Sequence, residues 1–237
     1  MNVLGIDTSN QPMSVAVYKD DTLAAELTVN VKRNHSIQLM PSVEQVMKLA
    51  DLEPKSLDEI VVSEGPGSFT GIRIGMTTAK TLAWTLNIPI KTVSSLKLLA
   101  SNLIYQDGLV CPYFDARRGN VYTSLYRCNK GEIIEIEKDC NLTMIEWLEY
   151  LKSLDEIIYF TSPNGENFEP LIKDELGTKA IVVNQPFNLP RAGLLFALSQ
   201  YEAETPIHTV KPNYIRITQA EANWNKQHGE GNQNESC

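Results

Sequence analysis

The segment Val3-Leu4-Gly5-Ile6-Asp7-Thr8-Ser9-Asn10-Gln11-Pro12 decides the fold. Its apolar run reads as a buried strand that stops at a carboxylate and a polar turn. Working outward, residues 14–18 and 23–29, joined at Lys19-Asp20-Asp21, predict two more strands in an antiparallel meander, because the connections are too short for anything else. Leu39, Val43, Val46, Met47 and Ala50 then recur at helical spacing, with Ser36 as the expected N-cap and Pro41 expected to kink the helix or to start its regular part. A strand over 60–63 leads through a Gly-Pro-Gly loop into a helix over about 70–86, followed by a strand over 90–93 and a helix over 95–104. The order is βββαβαβα.

The second half reads in the same order. Strands are expected over 109–115, 120–126 and 132–137, a helix over 144–151 capped by Thr143, a strand over 157–160, a helix around 168–176, a strand over 180–183 and a helix over 191–201. In both halves the first strand ends in Asp, at Ile6-Asp7-Thr8-Ser9 and at Phe114-Asp115-Ala116-Arg117. The fold class expected is α/β, two ribonuclease-H-like lobes of the kind found in the actin/Hsp70/sugar-kinase (ASKHA) superfamily. The lobes are placed at 1–104 and 105–224. Residues 225–237 form a polar tail with no apolar residue before its last position, and such a segment is expected to be disordered.

Composition narrows the function classes. The 237 residues carry 21 Lys and Arg against 29 Asp and Glu, a formal charge of −8, which disfavours a protein that grips nucleic acid alone. No apolar run approaches the roughly 20 residues that span a bilayer, and the first strand meets Asp7 too soon for a signal peptide, so a cytoplasmic location is expected. The four cysteines form no C-x-x-C pair, and free thiols are expected. His35, His208 and His228 are far apart and make no H-x-x-x-H pair, so no metal site is expected.

Gly65-Pro66-Gly67-Ser68-Phe69-Thr70-Gly71 lies between a strand and a helix, where backbone N–H groups can receive an anion. It lacks the Walker spacing and its lysine, and a tight turn capped by Ser68 or Thr70 is the simpler reading. Along the helix that follows, Gly71, Gly75, Ala79 and Ala83 fall every four residues and place small side chains in one stripe. Such a stripe admits close approach, either by a partner helix or by the chain's own sheet. Asp7 and Asp115 are the carboxylates whose matched strand-end positions suggest chemistry; the simpler role for each is to cap its own turn. No glycine-rich adenosine loop accompanies them in the second half.

Four stretches together resemble the TsaB (YeaZ) family over nearly the whole chain. They are Ile6-Asp7-Thr8-Ser9, Arg33-Asn34-His35-Ser36 with Leu39-Met40-Pro41, the run from Gly65 to Gly75, and Asp115-Ala116-Arg117-Arg118-Gly119-Asn120-Val121-Tyr122; Pro212-Asn213-Tyr214-Ile215-Arg216 is similar to the family's C-terminal motif. The resemblance implies a non-catalytic subunit in threonylcarbamoyladenosine formation at position 37 of tRNA, with the chemistry done by the paralogue TsaD, no cofactor, TsaE reached through the complex, tRNA met only through the complex, and self-association as a homodimer. It also implies that the two N-terminal helices form the partner contact, which assigns Leu39, Val43 and Met47 with Gly71, Gly75, Ala79 and Ala83 to an interface. Asp7, Thr8, Ser9 and Asp115 would then line a vestigial nucleotide cleft. Asn120 departs from the family, where Glu is common. The alternative is a free-standing ATP-dependent phosphotransferase of the same superfamily, supported by Asp7 and Asp115 and opposed by the missing adenosine loop.

Overall fold

A computed structural model describes residues 1–32 and 34–215. Two five-stranded sheets share one topology. The first contains β1 (Val3–Asp7), β2 (Met13–Lys19), β3 (Thr22–Val29), β4 (Glu59–Ser63) and β5 (Ile90–Val93) in the order β3-β2-β1-β4-β5. The second contains β6 (Gly108–Asp115), β7 (Asn120–Asn129), β8 (Glu132–Thr143), β9 (Ile158–Thr161) and β10 (Ala180–Val183) in the order β10-β9-β6-β7-β8, the same pattern read from the other edge. In each sheet the central strand pairs antiparallel on one side and parallel on the other, as at Leu4 with Val17 and Ile60, and at Val110 with Tyr126 and Tyr159. The expected α/β class of two ribonuclease-H-like lobes is the architecture found.

Among the described residues six α-helices cover the sheets: α1 (His35–Leu49), α2 (Phe69–Leu86), α3 (Ser95–Ala100), α4 (Met144–Lys152), α5 (Glu169–Leu176) and α6 (Leu195–Ser199). Capping explains where several start. Thr143 and Glu146 form a reciprocal capping box at α4, and Ser68 accepts from Gly71 N at α2. At α1 the cap is Asn34, whose extended backbone lets its side chain accept from Ser36 N, so Ser36 already lies inside the helix and is not the cap. Pro41 lies within α1, which therefore does not begin at it. The expected helices over 95–104 and 191–201 are shorter: Ser101–Leu103 and Ala192–Leu194 are 3₁₀ turns flanking α3 and α6.

Packing crosses the middle of the chain. On the first sheet, α1 and α2 bury Leu39, Val46, Met76 and Ala79 against Leu4, Ile6, Val15 and Ile60. The opposite face, with Val3, Ala16, Val61 and Val93, is closed by Ala192, Leu195 and Leu198 from the second half of the chain. On the second sheet, α4 and α5 pack Trp147 and Ile172 against Cys111, Tyr113 and Phe160, while the other face takes Leu96, Leu99 and Ala100 of α3, from the first half. Each half thus completes the other's core. A polar link runs the same way: Ser94, the cap of α3, donates to Asp139 on β8 at 2.6 Å, and Tyr126 donates to the other oxygen at 3.3 Å. Burial pushes the Asp139 carboxyl up to about 6 against these two bonds, which favour its ionised form.

Cys111 and Cys128 are free and buried. Cys140 is disulfide-bonded, so the expectation of free thiols fails there. No helix among the described residues is long and apolar enough to cross a membrane. The tail at 225–237 lies outside the described residues.

Candidate functional site

The seven residues assigned to an interface all face inward. Leu39, Val43 and Met47 on α1, and Gly71, Gly75, Ala79 and Ala83 on α2, are buried within the chain. Leu39, Val43, Met47, Ala79 and Ala83 pack into the core on the first sheet, and the two glycines face the β1–β2 turn. Thr8 donates its hydroxyl to Gly71 O at 2.7 Å, and a Cβ at Gly71 or Gly75 would collide with the Thr8 backbone or side chain. Of the two uses open to a small-residue stripe, the chain's own sheet and turn have taken it, and these residues do not line a surface.

The exposed side of these helices is the opposite one. On α1, Ile37 (71% exposed), Met40 (47%) and Leu49 (70%) are open, and Pro41, Glu44, Gln45, Lys48 and Leu49 border a groove of about 330 Å³. On α2, Phe69, Thr70, Arg73, Thr77, Thr81 and Trp84 follow one another at helical spacing on the exposed face, with Trp84 71% exposed. Helical periodicity in the sequence pointed to the buried stripe because small residues are conspicuous; the outward stripe, dominated by Thr, gave no such signal.

The glycine-rich loop is spent on internal bonds. Ser68 N donates to Ser9 O at 2.6 Å, Gly71 N to Ser68 Oγ at 3.3 Å, Gly65 N to Ser95 Oγ at 3.1 Å and Ser95 N to Gly65 O at 2.8 Å. Gly67, at φ +151°, backs onto the Ser9 carbonyl so closely that a side chain has no room. This is the tight-turn reading, with Ser68 as the cap.

Asp7 and Asp115 differ. Asp7 is fully buried; its Oδ1 accepts from Ser9 N at 3.2 Å and from the Ser63 hydroxyl, while its Oδ2 has no partner. Desolvation pushes its carboxyl above the ordinary range, opposed by those bonds and by the field of His35. Asp115 caps its own turn, accepting from Arg117 N at 2.7 Å. Arg117, Arg118 and Gly119 all take positive φ there, and Asn120 closes the turn by donating its amide to Arg117 O and Arg118 O at 3.4 Å each. Asn120 thus holds the shape of the turn. Thr8 and Ser9 are committed to α2 and the glycine loop, so the residues named for a nucleotide cleft are occupied by structure.

A contact that the sequence did not announce joins α2 to the C-terminal segment. Arg73 donates Nε to the Tyr214 hydroxyl at 2.6 Å and lies over the Phe69 ring, its Cζ 3.7 Å from the centroid. Asn213 N donates to Glu64 O at 2.8 Å and Lys80 to Val210 O at 2.7 Å, so residues 205–215 run as a strap over α2 and β5. The motif at 212–216 marked this segment without showing what it touches. Arg33, Arg216 and His228 lie outside the described residues, among which no group of three or more His, Cys, Asp or Glu is placed to hold a metal ion.

Comparison with known proteins follows the same line. The family model described as "TsaD: tRNA N6-adenosine threonylcarbamoyltransferase" matches residues 26–197. The chain is 42% identical over 224 residues, 94% of this chain and 98% of the relative, to "tRNA threonylcarbamoyladenosine biosynthesis protein TsaB" of Bacillus subtilis. It is 32% identical to the protein of that name in Escherichia coli over 135 residues, 56% of this chain and 58% of the relative. Among solved structures, YeaZ from Pseudomonas aeruginosa superposes with a TM-score of 0.74 at 23% identity, covering 90% of this chain and 99% of that one, which speaks to the fold alone.

Proposed function

The chain belongs to the family of the tRNA threonylcarbamoyladenosine biosynthesis protein TsaB, and from that premise we propose that it is a non-catalytic subunit of the tRNA N6-adenosine threonylcarbamoyltransferase complex, supporting the catalytic paralogue TsaD. The observation that carries this reading is similarity along almost the full length of both chains to a protein so named. The geometry supports the non-catalytic part. A carboxylate that serves phosphate chemistry must meet its substrate, whereas Asp7 is sealed from solvent behind Ser63, Ser9 and Thr8.

The docking surface proposed for TsaD is the outward side of α1 and α2, centred on Ile37, Met40 and Trp84 rather than on the buried stripe. Self-association through the same face would make a homodimer that TsaD competes away, since an isologous patch serves one partner at a time. TsaE and tRNA are proposed to meet this chain only through the complex. The lobe division at residue 104 stays a proposal about how the chain is partitioned, because α3 and α6 each pack on the other half. Native mass spectrometry during titration with TsaD tests the docking: the homodimer should give way to a heterodimer, and a species with two copies joined through α1 and α2 while TsaD occupies the same helices would overturn it.

A further inference from the structure

The strap and the first sheet enclose a cleft of about 550 Å³, with Glu64, just past the end of β4, and Thr92 of β5 on one wall and strap residues from Thr205 to Tyr214 on the other. The backbone pins the two walls together: Asn213 N donates to Glu64 O at 2.8 Å, and Glu64 N to Val93 O at 3.0 Å. Apolar residues contribute little to the lining, since Val210 packs into the core and leaves Pro212 beside hydroxyls, an amide and two charges. Such a lining suits a small polar ligand rather than a large apolar one.

The two charges are Glu64 and Lys211, and they do not meet. Neither forms an ion pair with the other or with any other described residue. Glu64 is half-buried, and burial pushes its carboxyl above the ordinary range; a hydrogen bond from Thr92 opposes this, while the nearby Glu202 adds to it. The neighbouring carboxylates are already matched. Glu202 pairs with Lys97 at 2.7 Å, and Asp139 accepts from Ser94 and Tyr126. Glu64 is thus the carboxylate of this region that lacks a counter-charge, and a bound cation offsets the cost of its burial.

We propose that the cleft binds a free amino acid, with the ligand's ammonium on Glu64 and its carboxylate on Lys211. A zwitterion satisfies both charges at once, and the flexible four-carbon stem of Lys211 lets its ammonium close the span. The hydroxyls beside them complete the match. Thr209 has given its hydrogen to Pro206 O at 2.8 Å, so its oxygen is left to accept, as an ammonium requires. Tyr214 accepts from Arg73 at 2.6 Å and keeps its own hydrogen to donate to a carboxylate. A bare metal ion fits less well, because no group of three or more His, Cys, Asp or Glu is gathered there among the described residues.

The test titrates the full chain with glycine, ethylammonium and acetate and follows its amide signals by nuclear magnetic resonance. Glycine should move Glu64, Lys211 and Asn213 along one saturable curve in the millimolar range or below, and should bind about tenfold or more tightly than either probe that carries a single charge. No saturable shift with glycine, or equal binding of ethylammonium or acetate, would overturn the proposal. Glu64→Gln, which keeps the shape and the Thr92 contact, and Lys211→Gln should each weaken glycine binding by about tenfold or more, as loss of a charged hydrogen bond does. Unchanged affinity in either variant would contradict it equally, and the wild-type titration stands whether or not the variants fold.

Discussion

Thr8 donates its hydroxyl to the Gly71 carbonyl across 2.7 Å and leaves Gly75 no room for a side chain. The β1–β2 turn and α2 are therefore one packed unit, and the small residues of α2 exist for the chain's own closure. Gly75→Leu should destabilise the fold by about 1–3 kcal/mol or more, as overpacking does. Chemical denaturation checks this, and a midpoint equal to wild type would return the stripe to the surface.

The opposite face should behave in the opposite way. Trp84→Ala removes a mostly exposed side chain and should leave the melting temperature within about a degree of wild type, since surface substitutions change little. Binding to TsaD should fall by about tenfold or more if the ring anchors the contact, a loss of about 1.4 kcal/mol. Isothermal titration calorimetry separates the two effects.

Asp139 predicts a pH dependence centred on the seam between the halves. Its folded value is raised from 3.8 to about 6, so the native state holds the proton more tightly than the unfolded chain. The contribution is therefore greatest below about pH 4, is lost as the pH rises to 6, and is flat above. Asp139→Asn, which keeps partners for Ser94 and Tyr126, should flatten that slope and gain on the order of 1–3 kcal/mol at pH 7. Denaturant midpoints at pH 4, 5, 6 and 7 for both proteins measure it; an equal slope would place the titration elsewhere.

The strap over α2 is held near its end by Tyr214. Tyr214→Ala removes the bond from Arg73 and one of the two rings the guanidinium lies beside, worth about 1 kcal/mol together at such an exposed site. Hydrogen exchange should quicken at Asn213, whose amide reaches Glu64 O, while the core strands keep their protection. Unchanged exchange there would mean that the strap holds without Tyr214, through Val210 and Ile207, which sink into the core, and through the bonds at Lys80 and Asn213.

Much of the fold was legible because the strongest patterns are local. The Ile6-Asp7 and Phe114-Asp115 strand ends, each followed by a meander, gave the duplicated topology, and Thr143 with Glu146 gave a helix start. The shortfalls share a cause. Whether the face with Gly75 or the face with Trp84 turned outward depended on Thr8, sixty-odd residues away in sequence, and periodicity marks a stripe without saying what covers it. The exchange of α3 and α6 between sheets was equally out of reach, since Leu96 and Leu195 look alike as core residues whichever sheet receives them.

The most direct measurement of the central claim is the rate of threonylcarbamoyladenosine formation on tRNA by TsaD and TsaE with and without this chain. The account predicts no product from this chain alone, little from TsaD and TsaE without it, and restored turnover when it is added, by wild type and by a variant lacking the Asp7 carboxylate, Asp7→Asn, alike. Turnover by the isolated chain that Asp7→Asn abolishes, or a TsaD rate indifferent to its presence, would contradict the account.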